Sequence, residues 1–558
     1  MHFGLVTFEI WRRARIFVVG ICCVFLLAWA ACGQTPTPGP TPEVPPVAPT
    51  FSTPTRPLPD ASRVGVQTDN DLPLALDQAI EMALKNNNDI DASRNSSQIA
   101  DFALRAARGI YDPVLSSQFY YESRSTPTAS TIGGAVNGAV IQRQFFGTAG
   151  LAGFVPRYGG SYDVVFNDSR INTTNRNATL NPQFPSSLAA TFTQPLLRNC
   201  SFDLNRRIIE IAKKNTELSD AQLRLEAITV VNGVALAYWD LTFALRNLQV
   251  QVDTLKQAHE QLESNKRLVA QGVLAPIEIV AANAQIATFE QAVYAAKESI
   301  TRAENTLKTL VLPDRTSPDW SRPLTPVTPV SLTVPQIGLD VALTEALKNR
   351  PEIAALESNA DINRIDQRFF RNQTKPQFDI VSSYATSGLA GTPNGAGGVN
   401  VPPTLIGGFL GSLSNLFQQN FPTYRVGFQL SLPLRNTIAK ANLGSALVQG
   451  NRIANQREQE EQIVEAEVRN ALQALRSAQA RLDSATTGRS AAEELYASED
   501  RQFRGGTTTF YLVLQRQTDL LAARSREIQA QTDLNKAISE FQRSTGTTLT
   551  VNNVTVSK

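Results

Sequence analysis

The sequence predicts a mixed α and β fold that is internally duplicated, in which long α-helical hairpins are joined to short amphipathic strands. Three observations lead to this prediction. The same landmarks occur twice in the same order, two very long stretches without proline carry apolar residues at helical spacing, and shorter stretches alternate apolar with polar residues. A length of 558 residues alone would suggest three or four domains, but the duplication indicates one long unit that occurs twice.

The composition argues against a nucleic-acid-binding protein and against an enzyme that depends on a metal or cofactor. The 52 Lys and Arg residues nearly balance the 50 Asp and Glu residues, so the net charge of +2 provides no basic field for a phosphate backbone. Two histidines and four cysteines supply few metal ligands or acid–base groups, and no cluster of His or Cys residues accompanies His259. We therefore expect no catalytic residue, no metal and no cofactor.

The first 31 residues have the composition of an export signal peptide. Three arginines in 12–15 precede an apolar run, 16–31, which ends in small residues. This run is shorter than the roughly 20 residues that a membrane-spanning helix needs. Removal of 1–31 leaves only Cys32 and Cys200, which are too few cysteines for a disulfide framework.

Cys32 allows two interpretations. It follows two alanines and precedes Gly33, as the acylated cysteine of a bacterial lipobox does, although Trp29 departs from the usual aliphatic residue. Alternatively, the signal is cleaved after Ala30 and Cys32 has no role. The segment 32–71 is rich in Pro and Thr, and is therefore predicted to form an extended N-terminal tether.

Three landmarks define the duplication. A Leu-Asp-x-Ala motif followed by Ala-Leu-Lys-Asn begins at Leu76 and again at Leu339. A Pro-Leu motif that ends in Arg-Asn begins at Pro195 and at Pro433, and a glycine pattern follows around Gly272 and Gly506. The predicted divisions are a first repeat at 72–312, a Pro-rich linker at 313–338, a second repeat at 339–546 and a C-terminal tail at 547–558.

Each repeat has the same predicted order of elements. A short amphipathic helix comes first, at 74–108 and at 339–371, with Asp in its first turn. A very long helix follows the strands, at about 205–270 and about 437–503, and its Ala-rich apolar stripe suits antiparallel helix packing. The returning helices are predicted at 276–311 and 508–545.

Two strands are predicted in each repeat, between the short helix and the long one. They are about nine residues long, close to the roughly 9–11 residues with which a tilted strand crosses a bilayer. The first repeat carries the longer insertion between its strands, somewhere in 123–187, whereas a Gly-rich connection, 386–421, joins those of the second. The alternating apolar residues are Leu115, Phe119 and Tyr121, then Leu188, Ala190 and Phe192, in the first repeat, and Phe378, Ile380 and Tyr384, then Tyr424, Val426, Phe428, Leu430 and Leu432, in the second.

The paired motifs resemble those of the TolC-like outer-membrane efflux protein family over residues 72–546. The resemblance rests on the order and spacing of the two helix starts, the two Pro-Leu motifs and the two glycine tips. It implies a homotrimer, in which each chain adds four strands to a shared twelve-stranded β-barrel in outer-membrane lipid and adds its helices to a periplasmic α-barrel. It also implies passive export of small molecules or polypeptides, received from a periplasmic adaptor and an inner-membrane pump, without catalysis. Such a chain belongs in the outer membrane of a diderm bacterium.

The resemblance assigns roles to two sets of residues. The hairpin tips would contact the adaptor, and Pro195 and Pro433 would set the change from strand to helix. The ordinary explanations are that glycine only permits the helix reversal and that the prolines occupy the first positions of helices. No acidic pore constriction is assigned, because Leu512 and Gln515 stand where relatives often carry acidic residues. The predicted tip residues are Gln271, Gly272, Val273, Arg504, Gly505, Gly506 and Thr507.

The alternative function is a periplasmic coiled-coil adaptor or a structural scaffold of an export complex. Adaptors also have a signal peptide and a helical hairpin. They normally carry one hairpin inserted between β-domains, whereas this chain has two hairpins, each with amphipathic strands at its far end.

Overall fold

The structure is a computed structural model that describes residues 63–67, 70–129, 131–135, 137–395 and 400–556. The predicted signal peptide, Cys32 and most of the predicted tether lie outside the described residues.

Among the described residues, the first half of the chain contains four α-helices, α1 (Leu76–Asn86), α2 (Asn88–Arg108), α3 (Leu204–Ala270) and α4 (Ile277–Val311). The single helix predicted at 74–108 is wrong, because Asn87 divides it. The Asn87 side chain accepts hydrogen bonds from the backbone N–H groups of Asp89 (2.9 Å) and Ile90 (3.3 Å), which makes it the N-cap of α2. The long helix α3 begins and ends within one residue of its predicted bounds.

The second half repeats this order. Its elements are α5 (Leu339–Asn349), α6 (Pro351–Gln373), α7 (Phe409–Phe417), α8 (Thr437–Arg504), α9 (Phe510–Ser544) and α10 (Thr548–Val551). The single helix predicted at 339–371 is also wrong. Pro351 separates α5 from α6, because it has no N–H to continue the hydrogen-bond ladder and suits the first turn of a new helix. Helix α7 is an addition, since the sequence predicts only a Gly-rich connection there.

In the part of the chain that the structure describes, eight strands form two sheets. They are β1 (Leu72–Leu74), β2 (Val114–Pro127), β3 (Ala139–Phe154), β4 (Ser161–Thr173), β5 (Leu180–Pro195), β6 (Leu324–Pro326), β7 (Gln377–Pro393) and β8 (Pro422–Ser431). Strands β1 and β6 pair in parallel, which joins the start of the first repeat to the linker between the repeats. The other six form one antiparallel sheet in the order β2-β3-β4-β5-β7-β8.

The prediction of four strands per chain is wrong, because the large sheet has six. The insertion in 123–187 folds into β3 and β4, which separate the two strands expected to pair, β2 and β5. The strands are also longer than the expected nine residues, at 10 to 17 residues.

The sheet has one apolar and one polar face, because side chains alternate along every strand. Cross-strand pairing aligns one row of apolar residues across all six strands. The residues two positions before and after that row lie on the same face and are also mostly apolar. The apolar row is Leu115, Leu151, Val164, Ala190, Tyr384 and Tyr424. A polar row on the opposite face is Gln118, Thr148, Asn167, Ser187 and Ser387.

Helix α7 lies on the apolar face, over the parts of β5 and β7 farthest from the long helices. Gly388 makes room for it, since a Cβ there would lie 2.1 Å from the carbonyl oxygen of Ser412. The hydroxyls of Ser186 and Ser412 are 2.7 Å apart, and the Thr386 hydroxyl donates to the Leu416 carbonyl. Three of the small and polar residues that interrupt the apolar face, Ser186, Thr386 and Gly388, are therefore residues that α7 covers.

The helices pack around three apolar clusters. The first joins α1, α3 and α4 to the small sheet, where the Tyr238 hydroxyl donates to the Leu74 carbonyl and accepts from the Thr328 N–H. The second joins α5, α8 and α9. The third lies toward the free ends of the two long hairpins. One described helix, α3, contains a stretch apolar enough to cross a membrane, but 67% of that stretch is buried within the protein, as in a core helix.

Candidate functional site

The first hairpin tip is closed by a left-handed glycine. Gly272 has φ of +74°, its N–H donates to the Val269 carbonyl, and the Val273 N–H donates to the Leu268 carbonyl, both at 2.9 Å. These two hydrogen bonds form a Schellman motif, which satisfies the last carbonyls of α3 and turns the chain toward α4.

The second hairpin tip has the same geometry. Gly506 has φ of +75°, its N–H donates to the Phe503 carbonyl, and the Thr507 N–H donates to the Gln502 carbonyl, both at 3.0 Å. Gly505 is the C-cap residue with a helical φ of −80°, so only the second glycine of the pair needs the left-handed conformation. Gly272 and Gly506, which are aligned in the two repeats, therefore have the same backbone conformation and the same hydrogen-bond pattern.

The two tips differ in surface chemistry. Val273 and Ile277 at the first tip are 70% and 58% exposed, so this end is apolar. At the second tip Arg504 projects into solvent and pairs with Asp500 at 2.8 Å, while Tyr511 is 71% exposed. The pair of tips thus presents an apolar contact surface beside a basic and aromatic one.

The third apolar cluster connects the two hairpins close to these tips. Phe510, at the start of α9, is 1% exposed and packs against Phe503 with ring centroids 5.6 Å apart. Burial raises the pKa of the nearby Tyr496 phenol above its ordinary value, and the negative charge of Asp500 raises it further. The tips are therefore short exposed turns on a packed base.

Pro195 and Pro433 lie where the large sheet ends. Pro195 is the last residue of β5, and α3 begins only at Leu204, after its N-cap Asp203. Pro433 follows β8, and α8 begins at Thr437. Neither proline occupies the first position of a helix, so the ordinary explanation for them is wrong.

Two asparagines make the turn that follows each proline. Asn199 and Asn436 both have positive φ, +67° and +45°, a conformation that Asn tolerates better than most residues. They end the repeated motif that begins with Pro-Leu and ends with Arg-Asn, so the duplication contains a signal for this turn.

Both turns are held by the end of α6. The Asn199 N–H donates to the Asn372 side-chain oxygen at 2.7 Å, and the Gln373 amide donates to the Asn199 side chain at 2.6 Å. The Asn436 amide donates to the Thr374 carbonyl at 3.0 Å. The strand-to-helix turns of both repeats thus meet at one point, which fixes the sheet relative to the helices.

The described residues contain no group of three or more His, Cys, Asp or Glu side chains that could hold a metal ion. His259 lies within α3, and Cys200 is a half-buried free thiol beside the first turn. The arrangement consists of a two-faced sheet, a long helical shaft and two exposed tips. The sheet and helices can line a passage, and the tips can contact another protein.

Comparisons with known proteins agree with this architecture. The sequence profile described as "outer membrane efflux protein" matches residues 152–311 and 342–547. A comparison with curated protein sequences finds no significant match.

Three solved outer-membrane proteins share the fold at low sequence identity. The outer-membrane channel OprN is 18% identical, with 89% of this chain and 98% of that chain covered and a TM-score of 0.59. The CmeC channel of Campylobacter jejuni is 14% identical, with coverages of 88% and 94% and a TM-score of 0.59. VceC of Vibrio cholerae is 16% identical, with coverages of 84% and 96% and a TM-score of 0.57.

Proposed function

Because the chain belongs to the outer membrane efflux protein family, we propose that it is the exit duct of an export complex. As a homotrimer, it would carry small molecules or polypeptides from a periplasmic adaptor and an inner-membrane pump to the cell exterior. The observation that carries this proposal is the six-stranded sheet with one apolar and one polar face, which is connected to the long helices through two hydrogen-bonded turns.

The two faces of the sheet support a place in the outer membrane. On the apolar face Phe119, Phe428 and Leu430 are 66–79% exposed in the single chain, which suits contact with lipid. The opposite face carries Gln, Thr, Ser and Asn, which suits a water-filled lumen. A periplasmic adaptor or scaffold would leave in water the large part of the apolar face that α7 does not cover, which argues against this alternative.

The free edges of the sheet support assembly with further copies. Strands β2 and β8 each have one partner, so each leaves a row of backbone N–H and C=O groups unpaired. Lipid does not tolerate such edges, because no water is available to satisfy them. Pairing with neighbouring copies would remove both edges.

The two hairpin tips are the proposed contacts with the adaptor. They lie at the opposite ends of the long helices from the sheet, and they are exposed above a packed base. The proposed contact residues are Gln271, Gly272, Val273, Arg504, Gly505, Gly506 and Thr507. Cys32 is proposed as a lipid anchor after signal cleavage, on sequence grounds alone.

Membrane fractionation of cells that express the full chain tests the proposed function. We expect a heat-resistant trimer in the outer-membrane fraction, and we expect an export defect when the gene is deleted from its host. Recovery of the chain as a soluble periplasmic species would overturn the proposal. A variant that lacks residues 190–194 is the matched control. It loses part of β5 from the middle of the sheet, and we expect it not to assemble in the outer membrane.

A further inference from the structure

We propose that the β-barrel of this protein has eighteen strands, because the β3–β4 hairpin is part of the barrel wall. This inference rests on the proposed function, in which three copies of the chain close one barrel. It concerns the width of the exit and the size of the cargo that the exit admits.

The β3–β4 hairpin is bonded into the sheet on both sides, along all of β2 and most of β4. Strand β3 pairs with β2 from Val114 opposite Ala152 to Pro127 opposite Ala139, without a register shift. On its other side β3 pairs with β4, and β4 pairs with β5 from Ser161 opposite Thr193. Strands β3 and β4 have 16 and 13 residues, a length comparable with the 14 of β2 and the 16 of β5.

The half of the hairpin nearer the helices also continues both faces of the sheet, whereas Asp168 and Arg170 lie on the apolar face of β4 farther along. Leu151 and Val164 lie in the apolar row between Leu115 on β2 and Ala190 on β5. Thr148 and Asn167 lie in the polar row between Gln118 and Ser187 on the same strands. A hairpin folded away from the wall would break both rows and would expose its apolar side to water, so the pattern fits a wall position.

The directions of the edge strands allow closure. Strand β2 runs away from the helices. Strand β8 runs back toward them, because four strands lie between β2 and β8 in this antiparallel sheet. The β8 edge of one copy can therefore pair antiparallel with the β2 edge of the next. Tyr424 and Phe428 on β8, and Phe119 on β2, are exposed along these edges and would be partly covered by the neighbouring copy.

Three copies of a six-stranded sheet give a barrel half as wide again as one built from four strands per copy. With a strand spacing of about 4.8 Å and a tilt of about 40°, the backbone diameter rises from about 24 Å for twelve strands to about 36 Å for eighteen. Barrels of about 16–18 strands enclose an aqueous channel. The polar face makes this channel suited to large hydrophilic cargo, such as a polypeptide segment or an oligosaccharide.

Electron cryo-microscopy of the full chain, purified in detergent, tests the inference, together with native mass spectrometry to count the copies. We expect three copies and eighteen strands in one wall. Three copies with twelve strands, and β3–β4 outside the wall, would overturn the inference and leave the proposed function intact. Two copies that close twelve strands would overturn both the inference and the homotrimer.

A matched variant replaces residues 128–179 by a two-residue Asn-Gly turn, which joins β2 to β5 in the antiparallel direction. We expect its trimer to have twelve strands and a barrel narrower by about 12 Å, by the same scaling. An unchanged barrel diameter in this variant would contradict the wall position of β3–β4. If the variant does not assemble, the strand count of the unaltered protein still decides the question.

Discussion

Replacing Glu304 by Met is expected to destabilise the protein much more than replacing Lys308 by Met, although the two side chains form one ion pair. Their charged atoms are 2.7 Å apart on α4, and the side chains are 2% and 0% exposed. A pair buried to this extent has lost nearly all its hydration, so the effect of each substitution depends on the partners that remain.

The remaining partners differ. Without Glu304, the Lys308 ammonium keeps one partner among the described residues, the Trp320 carbonyl at 2.8 Å, and the Leu324 N–H loses its acceptor. Without Lys308, the Glu304 carboxylate still has Arg63 and the Leu324 N–H. We expect Glu304→Met to lower the free energy of unfolding by about 3–5 kcal/mol, as is typical of an uncompensated buried charge. We expect Lys308→Met to lower the free energy of unfolding by about 1–3 kcal/mol, because the buried Trp320 carbonyl loses its hydrogen-bond donor.

The double variant separates this explanation from a simple loss of packing. With both charges replaced by apolar side chains of similar volume, and Arg63 able to reach solvent, the loss should be smaller than in Glu304→Met alone. Denaturant unfolding followed by circular dichroism at pH 7 measures the order of the three midpoints. Equal midpoints for the single variants, or additive losses in the double variant, would refute the reasoning.

Three other outcomes are expected. Gly388→Val should displace α7, at a cost of about 1–3 kcal/mol, because its Cβ would meet the Ser412 carbonyl; hydrogen exchange should show lost protection of α7, and retained protection would contradict this. Gly272→Lys combined with Gly506→Lys should disable export but leave trimers intact. Nothing lies within 4 Å of either added Cβ, and the left-handed backbone costs a lysine about 1–2 kcal/mol per site. Unchanged export would count against adaptor contact at the tips. Cys32→Ser should abolish incorporation of labelled palmitate, whereas equal incorporation by both proteins would exclude acylation at Cys32.

Local patterns in the sequence were sufficient for the long helices and for the geometry of the tips. Helices α3 and α8 show apolar spacing without a proline over their whole length, and this information is contained within each segment. The tips were also readable, because a glycine after a long helix is the usual end of that helix. The alignment of Gly272 with Gly506, rather than with Gly505, follows from the same local rule.

The six-stranded sheet was not readable, because adjacent aromatic residues obscure the alternation of the first-repeat strands. Tyr120 and Phe146 pack together on the polar face, with centroids 4.9 Å apart, while Tyr121 and Phe145 do the same on the apolar face. Each doublet breaks the period of two that identifies a strand. Only pairing with neighbouring strands shows that the insertion belongs to the sheet.

The buried pair on α4 shows the same division between local and distant information. Glu304 and Lys308 are four residues apart on a helix, which in a sequence is typical of a solvent-exposed ion pair. The linker residues Trp320 and Leu324 cover the pair and supply its other hydrogen bonds. The sequence by itself determined the duplication, the long helices and the glycine turns, because those features depend on residues close together in the chain. The tertiary structure decided the number of strands, the place of α7 and the burial of this pair, because each depends on groups that are distant in sequence.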